Sequence, residues 1–242
     1  MNPLTHLSAK ILLGCCALLA LSDIAWAQPP SPAPPLTVVE LFQSQGCSSC
    51  PPAEANLNAI AGDPHVLALS YGVTYWDSLG WKDTFARQAY TDRQYDYAHH
   101  RGRADVWTPQ VYVNGHQDLV GSDRTRLDQA IAAARLHGPT LTWADGRLQV
   151  GAGTPVAACD VWLVRYDPRT LDVAIRGGEN RGRTLPHRNV VRELILLGRW
   201  DGHARGFNLP AASQPGLSTA ALVQVAAGGD ILGAAKQATA AR

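Results

Sequence analysis

The sequence predicts an α/β domain followed by a small all-β sandwich. Two patterns lead there. Apolar strand-like runs alternate with helix-forming runs up to about residue 138, whereas hairpin signals dominate beyond Pro139. A third observation gives the first part its chemistry: Cys47 and Cys50, two residues apart, fall where the first strand turns into the first helix.

The first thirty residues set the compartment. Lys10 supplies a positive start, Ile11 to Leu21 an apolar run, and Ala25-Trp26-Ala27 small residues for cleavage before Gln28. The run is shorter than a bilayer span, so it predicts export rather than an anchor. Leu12-Leu13-Gly14-Cys15 is the rival, a loose lipoprotein box placed inside the apolar run. Residues 1–27 are thus expected as a signal peptide and 28–35, rich in proline, as an extended tether. No later segment reads as a transmembrane span. The balance of 21 basic and 20 acidic residues gives no reason to expect nucleic acid or an anionic membrane surface.

The α/β unit is expected over residues 36–138. Thr37–Phe42 reads as a strand, Pro52–Ala61 as a helix and Val66–Val73 as a second strand. An aromatic segment, Thr74 to Asp83, follows. Thr91 with Gln94 has capping-box spacing and predicts a helix to about Arg101. Asn114-Gly115 joins two short strands as a hairpin. Ser122 or Asp123 then caps a helix bearing Leu127, Ala130, Ile131 and Ala134 at the spacing of one face, and Gly138-Pro139 ends it. In residues 139–242, Asp145-Gly146 marks another hairpin. Val161–Tyr166, Leu171–Ile175, Val190–Leu197 and Leu222–Ala226 read as strands of the sandwich, with an ambiguous tail.

A helix N-terminus offers unpaired N–H groups and partial positive charge, which favour a thiolate. Cys47 is therefore expected to be the exposed nucleophile and Cys50 the buried resolving thiol; a small structural disulfide is the alternative. Signal cleavage leaves Cys47, Cys50 and Cys159, an odd number in an oxidising compartment. Cys159 beside an apolar strand reads as an inert buried thiol rather than a third redox partner. His99-His100 adds imidazole to two thiols and raises copper, but nothing completes a ligand set, so neither a metal nor any other cofactor is expected. Trp76 and Trp81 read either as a lid over the cysteines that also meets an apolar substrate, or as core packing. Arg181, Arg183, His187, Arg188 and Arg192 form a basic cluster, either facing the cysteines or solvated.

The ordered features of residues 36–138 resemble the thioredoxin superfamily. The resemblance implies a thioredoxin-like domain in which Pro109 is cis and the Thr108 backbone bonds an extended substrate segment. It also implies that Glu40 assists proton transfer as a buried acid; the alternative is a strand residue paired with an arginine. A closer resemblance rests on Val39-Glu40-Leu41-Phe42, Gly46-Cys47-Ser48-Ser49-Cys50-Pro51-Pro52, the run from Tyr75 to Asp83 and Thr108-Pro109-Gln110. Gly178-Glu179-Asn180 and His187 to Arg192 extend it. These are similar to a secreted bacterial family called domain of unknown function 1223, from which Thr74 departs where an aspartate is expected. Together these readings predict disulfide exchange with extracytoplasmic protein thiols or disulfides, reset by an unidentified redox partner. The alternative is a redox-latched carrier of peptide or copper without turnover.

Overall fold

The computed structural model describes residues 36–155 and 157–237. The expected signal peptide and tether lie outside the described residues. Among these, no helix is long and apolar enough to cross a membrane.

The chain folds around one mixed sheet of eight strands. β1 (Thr37–Gln43) leads into α1 (Pro51–Ile60), which returns to β2 (Val66–Gly72), parallel to β1. A short 3-10 turn (Asp77–Leu79) and α2 (Gln88–His100) follow. β3 (Gln110–Val113) and β4 (Gln117–Val120) form the expected hairpin, with Asn114 and Gly115 both at positive φ. α3 (Arg124–Ala133) begins at Asp123, whose side chain accepts from the Arg126 N–H. α2 starts four residues ahead of the position the capping spacing indicates, with Arg87 in place of Thr91 as the N-cap. Thr91 and Gln94 lie inside it and are buried, and Thr91 accepts from the Thr74 N–H instead of capping.

The second half is all-β, through β5 (Leu141–Ala144), β6 (Arg147–Val150), β7 (Cys159–Asp167), β8 (Leu171–Ala174), β9 (Thr184–His187), β10 (Val190–Trp200), β11 (Arg205–Asn208), β12 (Ser218–Val225) and β13 (Ile231–Lys236). It is not a separate sandwich. The large sheet runs β13-β12-β7-β10-β2-β1-β3-β4, so four late strands continue the sheet that β1 to β4 begin. The expected fold, a thioredoxin-like α/β domain beside a small sandwich, is corrected accordingly: a large mixed sheet dominates, and among the described residues the α-helices are three and short.

The physical reason lies in β7 and β12. Their middle residues, Val161, Leu163, Val164, Ala220, Leu222 and Val223, are buried on both faces of the sheet. Such strands need neighbours on each side, as interior strands do. The join is made at β2: the Ser70 N–H donates to the Asn189 carbonyl at 3.0 Å, and the Asn189 amide donates to the Ala68 carbonyl at 2.9 Å.

Alternation along β1 divides the core. Val39 and Leu41 face α1 and α3, packing on Ala53, Leu57 and Leu127. Val38 and Phe42 face the other way, towards Tyr71, Tyr97 and Tyr112. A third cluster, including Leu148, Val161, Trp200 and Phe207, fills the space between β7–β12 and the three-stranded sheet β11-β6-β5.

Candidate functional site

Cys47 and Cys50 are joined by a disulfide at the start of α1. The local sequence dictates the turn. The Cys50 N–H donates to the Cys47 carbonyl at 3.2 Å, and the N–H groups of Ala53 and Glu54 then donate to the Cys50 carbonyl. Pro51 and Pro52 occupy first-turn positions, where a missing N–H costs nothing.

Two hydroxyls meet the Cys47 sulfur. Ser49 Oγ lies 3.3 Å from it, and Thr108 Oγ1 donates to it at 3.4 Å. The Trp76 indole N–H donates to Thr108 Oγ1 at 2.8 Å, occupying the acceptor side of that hydroxyl and turning its proton towards the sulfur. The Thr108–Pro109 bond is cis, as the resemblance implies, and Pro109 is buried. Trp81 donates to Gln45 Oε1 at 3.0 Å and steadies the loop leading to Cys47.

Cys47 itself is 0% exposed and Cys50 2%. The expectation of an open nucleophile at Cys47 is thus corrected. Its cover comes from the aromatic segment and from the loop after β8. The side-chain amide of Asn180 donates to the carbonyls of Gln45 and Cys47, at 2.9 and 2.8 Å. Glu179 accepts from both the N–H and the hydroxyl of Ser48, which hold its carboxyl below the usual range. Gly177 lies so close to the Gly80 carbonyl that any Cβ would collide, and Gly178, at φ +66°, passes beside Gly46 and Trp81. The loop can settle here only as glycine. Leu79, 58% exposed, stands at the rim of the aromatic segment.

Other predicted residues lie elsewhere. Glu40 belongs to the face of β1 turned away from α1. Arg93 grips its carboxylate at 2.8 and 3.1 Å, the Tyr97 hydroxyl donates to it, and Arg93 also donates to Gln224 of β12 at 2.9 Å. Of the two readings, this is the arginine pairing. His99 and His100 are exposed in the last turn of α2, on the sheet face opposite α1. Among the described residues no three His, Cys, Asp or Glu side chains gather as a metal site. Cys159 is buried, its thiol donating to the Ala157 carbonyl at 3.3 Å; burial, then Asp160, pushes its pKa up.

The basic cluster divides. Arg183 bonds the Asn180 side-chain oxygen at 2.8 Å, beside the disulfide, whereas Arg192 covers the Phe85 ring and reaches Asp167. His187 leaves the cluster altogether: it is buried against Glu54 of α1, its Nδ1 at 3.1 Å from Glu54 Oε1. Residue spacing gives no hint that Glu54 meets a histidine 133 positions away. Its one legible signal was a lone acid on the helix face that packs inwards.

Fold and site together define a mixed-sheet protein with a covered CxxC disulfide at a helix N-terminus. Residues 38–225 match the family described as protein of unknown function (DUF1223), and the chain belongs to that family. It is similar to protein AGR_C_4864 from Agrobacterium tumefaciens, known from a crystal structure. The two share 31% identity and a TM-score of 0.71 over 87% of this chain and 95% of that one. HBP35 of Porphyromonas gingivalis shares 11% identity and a TM-score of 0.50 over 84% of this chain and 74% of that one, a likeness of fold alone. No curated protein matches.

Proposed function

We propose that this chain is an exported thiol–disulfide exchange protein. It acts on extracytoplasmic protein thiols or disulfides through Cys47 and Cys50, and a redox partner resets the pair. One observation carries the reading: the Trp76–Thr108 relay presents a hydroxyl proton to the Cys47 sulfur at the N-terminus of α1. A structural disulfide needs no such donor. A thiolate does, because hydrogen bonds and the helix dipole lower its pKa.

In the reducing direction, the Cys47 thiolate attacks a substrate disulfide and one substrate thiolate leaves. Cys50 loses its proton and attacks the Cys47 sulfur. The Cys47–Cys50 bond forms, and the second substrate thiolate leaves and is protonated. The substrate gains two electrons and the dithiol loses two; the reverse sequence oxidises a substrate dithiol. The cover over Cys47 must move for either direction.

That cover favours a second reading, a redox-latched binding module without turnover, since Cys47 is fully enclosed while the disulfide is closed. Cys50→Ser separates the two. Exchange predicts that it accumulates mixed disulfides with envelope proteins through Cys47, whereas Cys47→Ser does not. If neither variant traps a partner and the purified protein catalyses neither disulfide formation nor reduction, the binding-module reading replaces exchange.

A further inference from the structure

Beside Cys50 lies a partly open cavity of about 230 Å3, lined among others by Cys50, Pro51, Glu54, Leu185 and His187. That is room for several waters. Glu54 follows Cys50 by four residues on α1, and helical side chains lean towards the N-terminus, so its carboxylate reaches back towards Cys50. It is buried, and the Ser70 hydroxyl and His187 are its partners. His187 is 1% exposed. In the neutral ring, a proton on Nδ1 facing the Glu54 carboxylate leaves the lone pair on Nε2. Nε2 is buried and has no partner among the described residues.

A buried imidazole nitrogen without a partner costs free energy, so its retention calls for an explanation. We propose that the Glu54–His187 pair is the proton acceptor for Cys50: His187 Nε2 takes the thiol proton across the cavity when the mixed disulfide is resolved. This rests on the exchange reading. The proton moves from Cys50 Sγ to Nε2, the Glu54 carboxylate balances the imidazolium, and the freed thiolate attacks Cys47. The departing substrate thiolate recovers a proton from solvent.

The groups facing His187 suit the task. Glu54 faces it from α1, Asp83 from the segment before α2 and Asp172 from β8, while Arg183 lines the same cavity. Phe85 packs edge-on at 5.4 Å. Burial opposes the imidazolium, but the three carboxylates outweigh it and raise the His187 pKa. A raised pKa favours the imidazolium that the transfer forms. Glu40, bound to Arg93 on the other side of the sheet, is not needed for this role.

The test uses the reduced full chain and 5,5′-dithiobis(2-nitrobenzoate), whose two thiolates are released in turn by Cys47 and by Cys50. Glu54→Gln and His187→Gln are expected to leave the first release unchanged and slow the second on the order of 100-fold at neutral pH. The deficit should shrink as pH rises and hydroxide deprotonates Cys50 directly. Unaltered second-release rates and pH profiles in both variants would overturn the proposal while exchange stands. Absence of the first release in the unmutated protein would defeat the exchange reading and this proposal with it. Should the variants fail to fold, nuclear magnetic resonance of the unmutated protein decides. Linkage requires the His187 ring to titrate at a different midpoint with the disulfide closed than with it open; an identical midpoint contradicts the proposal.

Discussion

At the scale of single residues, Glu40 shows how far sequence could reach. Its burial on the first strand was legible, because it interrupts an apolar run. Its partner was not, since Arg93 lies on a helix packed from the other side and Gln224 on the twelfth strand. A buried charge that loses its partner is costly, typically about 3–5 kcal/mol. Glu40→Gln is therefore expected to lower unfolding stability by roughly that amount in chemical denaturation, while leaving the pH–rate profile of exchange in the folded protein unchanged. A shifted profile with intact stability would return the proton-transfer role to Glu40. The cysteine pair itself was legible from spacing and position alone. The enclosure of Cys47 was legible only in the lid reading of Trp76 and Trp81, because the rest of its cover comes from a loop about 130 positions downstream.

At the scale of elements, the loop from Arg176 to Arg183 is the part that completes the site. It joins β8 to β9, has no regular structure, and is held by what it touches. Asn180 supplies donors to two buried carbonyls, Glu179 accepts at Ser48, and Gly177 permits close approach to Gly80. Replacing Asn180 with alanine strands the Gln45 carbonyl and leaves that of Cys47 with the Cys50 N–H alone, and an unmet buried polar group costs about 1–3 kcal/mol. Asn180→Ala should lose stability in that range and expose Cys47 to faster thiol modification once reduced, read by labelling rate. A variant as stable and as slow to label as the original would mean that this loop is not the cover. Hairpins and short helices were readable because turn residues and periodicity are local signals; the Asn114-Gly115 and Asp145-Gly146 turns stand where expected. β9, β11 and β13 went unread. β9 carries a proline and β13 is mostly alanine and glycine after its first two residues, so each holds a single β-branched residue, Thr184 and Ile231, and no aromatic one to mark a strand.

At the scale of the whole molecule, the change in composition after Pro139 marks no separate sandwich. Helices stop there, yet the sheet goes on, with β10 beside β2 and β7 and β12 beyond it. Periodicity reports which face of a strand is buried, not which strand lies next to it. A chain cut after Gly138 leaves β2 with an open edge and uncovers Tyr71, Tyr90 and Arg93, which pack against or bond to the later strands. Such a fragment is expected to show no cooperative unfolding transition by circular dichroism; two-state unfolding would restore a boundary at that point. The central claim, however, concerns the chemistry that this sheet positions. The reduction potential of the Cys47–Cys50 pair tests it most directly, by equilibrating the full chain against glutathione and dithiothreitol buffers. Exchange predicts a value between about −120 and −270 mV, the range of disulfide-exchange proteins, and a value below about −300 mV, where structural disulfides lie, would contradict it.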